Sequence, residues 1–222
     1  FVQEILQGID TNHLGLEFGN EAQVTPTLKL NGVVSVGQYS YNNNPNLVLT
    51  SSDFVEGLNF GDANLKHYKI AGGPQQAFSL GFEYRDPKYW WFGTTANFLA
   101  NTYIDVSPLT RTKNFYLDTD GLPFPDYDPT LAKDLLRQEK FDAYLVFNAV
   151  GGKSWKVGDK YISLFVSLNN VLDKHYKTGG FEQGRNANYQ SLKDDVKSPK
   201  RRFGPKYWYG RGTTYFLNLN LR

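Results

Sequence analysis

Apolar and polar residues alternate with a period of two along several stretches of the chain. In the final stretch, Leu217, Leu219 and Leu221 are separated by Asn218 and Asn220. Successive side chains of a β-strand point to opposite faces, so a strand with this sequence has one apolar face and one polar face. The pattern predicts β-strands rather than helices.

Seven stretches carry this alternation and predict an all-β, antiparallel protein. The predicted strands cover approximately residues 12–22, 27–42, 75–85, 89–104, 141–156, 160–176 and 207–222. Short turns join the strands at 24–26, 86–88 and 157–160, and long loops join them over 44–73, 105–140 and 178–205. In the second long loop, Asp128 before Pro129 predicts a short helix with Asp128 as its N-cap. Short and long connections alternate, so all the short turns lie at one end of the strands.

This separation of short turns from long loops is typical of a transmembrane β-barrel of the outer-membrane type. No run approaches the roughly 18 apolar residues of a membrane-spanning helix. In a barrel, the apolar side chains of the last two strands would face lipid. The predicted lipid-facing residues are Leu164, Val166, Leu168, Leu217, Leu219 and Leu221.

The number of strands bears on whether the barrel is complete. Antiparallel closure of the first strand on the last needs an even number, and each unpaired backbone group in lipid costs several kcal/mol. We therefore expect the seven strands to be the C-terminal part of a larger barrel, with the other strands and any further domain upstream of Phe1.

Composition narrows the class of protein further. The chain has 222 residues, of which 16% are aromatic and 21 are glycine, and this content favours β structure. A net charge of +2 argues against a general nucleic-acid binder. The absence of cysteine excludes disulfides, zinc-thiolate sites and thiol nucleophiles.

Signals for catalysis or metal binding are weak. No nucleophile elbow, phosphate loop or dinucleotide fingerprint occurs, so we expect no enzyme and no cofactor. His13, His67 and His175 lack the spacing of a zinc site. The acidic stretch 118–121 is similar to the start of a calcium loop, but Leu122 would occupy its fifth ligand position. We predict no metal site.

Aromatic residues fall into two groups with different expected roles. Those at strand ends are predicted to form an interfacial girdle: Tyr89, Trp90, Tyr207 and Tyr209. Those within the long loops are candidates for substrate contact: Phe115, Tyr116, Phe124, Tyr127 and Phe181. Packing of one loop on another is the alternative role for the second group.

Three stretches also carry a family resemblance. Residues 74–85 read PQQAFSLGFEYR, residues 88–91 read KYWW, and residues 167–176 read SLNNVLDKHY. They resemble the C-terminal barrel segment of TonB-dependent outer-membrane receptors, in particular those of the Bacteroidota. The resemblance covers nearly the whole chain and is strongest at 169–174, where the penultimate strand of such receptors emerges outside.

The resemblance implies a barrel of about 22 strands in the cell outer membrane, with an N-terminal plug and a TonB box upstream of this chain. It implies import of a chelated metal, a glycan or a peptide. The implied partners are outer-membrane lipid, the rest of the barrel and plug, TonB and a surface lipoprotein, with no nucleic acid. Such barrels usually end on an aromatic residue, so we expect one more residue after Arg222.

Two alternatives remain open at this point. The first is a passive porin or a structural subunit of an envelope complex. The second is a soluble β-sandwich that acts as a binding module. A sandwich gives no reason for the short turns to lie at one end, and it would place its aromatic residues in a core.

Overall fold

The computed structural model describes residues 2–53, 55–184 and 187–222, and most of this chain is β-strand. In chain order the strands are β1 (Val2–Gln7), β2 (Thr11–Gln23), β3 (Leu28–Tyr41), β4 (Asn46–Ser51), β5 (Leu58–Asp62), β6 (Gln76–Asp86), β7 (Trp90–Ala100), β8 (Tyr144–Val157), β9 (Lys160–Asn169), β10 (Lys177–Phe181), β11 (Lys206–Tyr209) and β12 (Thr214–Leu221). The helices are α1 (Pro129–Leu135) and α2 (Tyr189–Lys197), and two 3-10 turns lie at Leu109–Arg111 and Lys113–Phe115.

Seven strands form one antiparallel sheet in the order β12-β9-β8-β7-β6-β3-β2. Each strand pairs with the next one of this set along the chain, so the sheet is a simple meander. The predicted antiparallel all-β fold is confirmed. Two smaller sheets, β1-β4-β5 and β10-β11, lie outside it.

One face of the seven-stranded sheet is apolar from edge to edge. Side chains of directly opposed residues share a face, and the pairing joins Leu219 to Leu164 and Leu217 to Val166. The same face continues through opposed pairs in the other strands: Phe98 with Leu145, Phe78 with Phe98, Val34 with Phe78, and Leu16 with Val36. Nothing in the described chain covers it, since Leu217, Leu219 and Leu80 are 62%, 69% and 68% exposed.

The opposite face carries mostly polar and small side chains, together with a row of aromatic rings formed by Trp91, Phe165 and Phe216. The Ser79 hydroxyl donates to the Asn97 side-chain oxygen at 2.9 Å, and the hydroxyls of Ser154 and Ser163 lie 2.8 Å apart. A Cβ atom at Gly81 would collide with the side chain of Asn31 on the neighbouring strand, so glycine allows the close approach there. This face therefore makes hydrogen bonds across strands.

The hydrophobic core lies in the long connections and not on the sheet's apolar face. One cluster joins the small sheet to the second connection through Leu47, Leu49, Ala63, Leu65 and Val106. A second cluster joins the two helices through Phe115, Ala132 and Tyr189. The structure thus combines a sheet with an uncovered apolar face and loops that are packed like a globular domain.

Several predicted strand boundaries are wrong. The strand predicted to reach residue 104 ends at Ala100, and the one predicted to reach 176 ends at Asn169. Asn101 and Asn170 follow these ends with positive φ angles of 58° and 51°, a conformation that asparagine tolerates better than most residues and that stops pairing. The strand predicted over 141–156 begins only at Tyr144.

The strand predicted over 207–222 is also wrong, because two separate strands occupy this range. β11 pairs with β10 in the small ribbon, whereas β12 pairs with β9 in the large sheet. Between them, Gly210 lies so close to the Tyr176 ring that any side chain would collide with it. Strand pairing therefore changes from the small ribbon to the large sheet between residues 209 and 214.

The short helix predicted after Asp128 is present. The Asp128 carboxylate accepts a hydrogen bond from the Thr130 amide at 2.8 Å, and Pro129 occupies the first helical position. The sequence reading missed α2, which Asn188 caps in the same way through the Ser191 amide at 2.9 Å. Neither helix of the described chain has the length and apolar composition that crossing a bilayer requires.

Candidate functional site

The three long connections, residues 42–75, 101–143 and 170–213, pack on one another at the end of the sheet opposite the short turns. We call them loop 1, loop 2 and loop 3, and together the loop assembly. Polar contacts between residues far apart in sequence hold them together, and three of these contacts are ion pairs: Arg111 with Glu182, Lys177 with Glu139, and Lys193 with Asp126.

A buried arginine connects all three loops. The Arg111 side chain is 1% exposed and forms an ion pair with Glu182 of loop 3, with a second contact from Nη2 to Oε1 of 2.9 Å. The same Nη2 donates to the Leu136 carbonyl at 2.8 Å, and the guanidinium lies 4.9 Å from the centre of the Tyr68 ring in loop 1. Burial alone lowers the Arg111 pKa, but the hydrogen bond and charge of Glu182 outweigh it, so the net pKa is raised. The guanidinium stays charged at any pH that the fold tolerates.

A second polar network links loops 2 and 3. Lys177 Nζ donates to Glu139 Oε1 at 2.7 Å, and the Tyr207 hydroxyl donates to Glu139 Oε2 at 2.6 Å. The lysine also lies 3.5 Å from the centre of the Tyr207 ring, a cation–π contact. Burial lowers the Lys177 pKa, but Glu139 raises it more, so the net pKa is raised. Burial and the hydrogen bond to Glu139 both raise the Tyr207 pKa.

This network predicts that loops 2 and 3 separate more easily at alkaline pH. The folded state favours charged Lys177, so its contribution is complete at neutral pH and is lost as the pH rises through its folded pKa. The folded state also favours neutral Tyr207, so ionisation of tyrosine in the unfolded chain above about pH 10 lowers stability as well. The unfolding free energy, measured by urea titration between about pH 8 and 11.5, should fall above pH 10, and Glu139→Gln should make that fall shallower. An identical slope in the variant would contradict this assignment.

The predicted substrate-contact residues divide into two groups. Phe115, Phe124 and Tyr127 surround the fully buried Tyr189 ring, at centroid distances of 6.2, 6.2 and 4.9 Å, and the Tyr116 ring lies 5.5 Å from that of Tyr127 at an interplanar angle of 47°. The alternative role, packing of one loop on another, fits these four residues. Phe115 is only 3% exposed, so it presents no surface to a ligand. The sequence reading missed Tyr189, whose only local signal is its place directly after the helix cap.

Phe181 is the member of the predicted set that is open to solvent. It is 40% exposed and its ring lies 5.8 Å from that of Trp208, which is 57% exposed. The two rings line a cavity of about 630 Å³ between loops 2 and 3. Trp208 packs over Gly179 of the paired strand, where a Cβ would lie 2.9 Å from the indole ring.

The predicted girdle residues also lie in two places. Trp90 is on the apolar face of the sheet next to the short turns, with its ring 5.2 Å from that of Tyr84, and Tyr89 lies exposed in the turn itself. Trp155 shares this face and this end of the sheet through its pairing with Ile162. Tyr84 and Trp155 were missed because they fall inside predicted strands.

The girdle prediction is wrong for Tyr207 and Tyr209. Both belong to β11 in the small ribbon, and Tyr207 takes part in the network with Glu139. They therefore do not end a strand of the large sheet.

The stretch 169–174 forms a tight anchor where loop 3 begins. The Asn170 side chain donates to the carbonyls of Lys174 at 2.9 Å and Arg211 at 3.0 Å, and it accepts from the Lys174 amide at 2.9 Å. Asp173 accepts from the Thr213 amide at 2.9 Å. These bonds hold the start of loop 3 against its end.

The described residues contain no group of three or more side chains able to hold a metal ion. His13 packs its ring 5.1 Å from that of Tyr39 on the polar face of the sheet. No protein-family model matches the sequence, and no curated protein matches it.

Proposed function

We propose that this chain forms part of the wall of a TonB-dependent outer-membrane receptor that imports a chelated metal, a glycan or a peptide. The observation that carries the proposal is the uncovered apolar face of the seven-stranded sheet. Soluble monomers rarely expose a contiguous apolar patch larger than a few hundred Å². A lipid environment gives such a face the apolar surroundings that the chain itself does not supply.

Two further features of the sheet fit this proposal. The three short connections lie at one end and the three packed loops at the other, as in barrels with periplasmic turns and external loops. The polar, hydrogen-bonded opposite face is suited to a water-filled or plugged interior. Tyr84, Trp90 and Trp155 supply amphipathic rings near the turn end of the apolar face.

The edges of the sheet supply a physical reason for further strands. β2 and β12 each pair on one side only within the described chain. In lipid, every unpaired N–H and C=O group along such an edge costs several kcal/mol. We infer that other strands of the same barrel pair with both edges.

The soluble β-sandwich is the weaker alternative. A sandwich buries one face of each sheet against the other, yet the apolar face here is exposed and the two buried clusters lie in the loop assembly. A passive porin or a structural subunit would use the same sheet, and uptake that persists without the inner-membrane energy source would favour the porin.

Surface labelling of intact cells tests the membrane topology. We expect a membrane-impermeant biotin reagent to reach Lys113 and Lys197, which are exposed in loops 2 and 3. It should spare Lys88 and Lys160, which are also exposed but lie at the short-turn end. Replacing each lysine singly by arginine removes one labelling site, so the peptide that loses its label identifies the lysine that was labelled. Labelling of Lys88 and Lys160 alone would reverse the orientation, and labelling of all four in sealed cells would contradict insertion in a membrane.

A further inference from the structure

A cleft in the loop assembly has an apolar wall and a charged rim. It lies between α1 and α2, has a volume of about 710 Å³, and is the larger neighbour of the cavity lined by Phe181. Its apolar wall includes Leu131 and Leu135 of α1, Leu192 and Val196 of α2, and Phe203. We call it the α1–α2 cleft. Its size lies within the range of small-molecule sites, which are roughly 300 to 1,000 Å³.

The acidic side chains around the α1–α2 cleft are mostly engaged already. Glu182 pairs with Arg111, and Glu139 pairs with Lys177 and Tyr207. The Asp195 carboxylate accepts hydrogen bonds from the backbone amides of Arg202 and Phe203. Asp134 alone of the four lining carboxylates has no such partner within the described chain.

The basic side chains of the same cleft are not engaged. Arg137, Lys140 and Arg201 line it, all three are exposed, and none enters an ion pair with a described residue. Three cations without an ion-pair partner in the described chain therefore face two carboxylates without one, Asp134 and Asp195, beside an apolar wall. The net charge of the open site is positive.

We propose that the α1–α2 cleft binds a compact amphiphilic anion, with an apolar body against the leucine wall and a carboxylate or phosphate head between Arg137 and Arg201. Arginine binds both head groups in a planar, two-point geometry, and hydrogen bonds to charged groups are stronger than neutral ones. The proposal rests on the cleft alone and holds whether or not the chain takes part in import.

Binding of soluble probes to the protein purified in a non-ionic detergent tests the proposal. The probes are 2-naphthyl phosphate, 2-naphthoate and the neutral 2-naphthylethanol, with inorganic phosphate as a probe without an apolar body. Calorimetry should show that at least one anionic naphthyl probe binds about tenfold or more tightly than the neutral one. Comparison of the two anionic probes identifies the preferred head group.

Matched variants separate the site from general charge effects. Arg137→Gln with Arg201→Gln should weaken binding of the anionic probe by about tenfold or more. Lys133→Gln with Lys200→Gln removes the same charge from exposed positions outside the cleft and should leave the affinity unchanged. Val196→Asn should weaken the naphthyl probes but not inorganic phosphate. Equal affinity for the neutral probe, or equal loss in both double variants, would overturn the proposal, with limited proteolysis showing that each variant keeps its fold.

Discussion

In the proposed barrel, Leu219→Arg should lower the unfolding free energy by about 2 to 4 kcal/mol at midplane depth, and by less towards an interface. Leu219 lies on the apolar face opposite Leu164, so in that barrel the substitution would place a guanidinium among acyl chains. The matched control is Asn218→Arg, one residue away on the polar face, which should stay within about 0.5 kcal/mol of the parent. Urea titration in lipid vesicles, followed by tryptophan fluorescence, measures both free energies of unfolding.

Spin labels test independently whether the apolar face of β12 is in contact with lipid. Labels at positions 217 and 219 should be accessible to a lipid-soluble quencher, whereas a label at 218 should not be. If all three positions respond equally, or if the two arginine variants lose the same stability, the assignment of the apolar face to lipid is wrong.

Arg111→Met should be the most damaging substitution in the loop assembly. Removing one partner of a buried ion pair leaves the other charge uncompensated, at a cost of about 3 to 5 kcal/mol. The variant also loses the hydrogen bond to the Leu136 carbonyl and the cation–π contact with the Tyr68 ring. Hydrogen exchange should accelerate across all three loops, while the seven-stranded sheet keeps its protection.

Two variants control this prediction. Arg137→Met removes an exposed arginine from the same loop and should leave exchange in the loops unchanged. Arg111→Met combined with Glu182→Leu removes both charges and should recover part of the lost stability, since an apolar pair can replace a buried ion pair. If Arg111→Met and Arg137→Met behave alike, the buried pair does not hold the loops together.

The sheet was largely readable from the sequence because each of its strands is long and has one apolar face. Alternation alone placed Leu164, Val166, Leu217 and Leu219 on a common face, and the observed pairing agrees. The strand ends were not readable, since residues such as Asn101 and Asn170 end pairing through a backbone conformation that hydrophobicity does not encode.

The loop assembly was largely hidden from sequence reasoning. Its small strands β4, β5, β10 and β11 have between 4 and 6 residues, too few to show a period. Arg111 and Glu182 are 71 residues apart, so no local sequence pattern predicts their contact. The helix after Asp128 was predicted from its cap, because a cap acts within one turn, whereas the same kind of signal at Asn188 was missed for α2.

The anchor at Asn170 has a consequence for how this protein can diversify. Asn170 and Asp173 bond to Arg211 and Thr213, and the Gly210 amide donates to the Tyr176 carbonyl, so loop 3 leaves and re-enters the sheet at adjacent points. A segment that begins and ends at one clamped point can change in length and sequence at little entropic cost to the strands beneath. Residues 177–209 could therefore be exchanged without unpairing β9 from β12, provided that the replacement supplies new partners for Arg111 and Glu139 of loop 2.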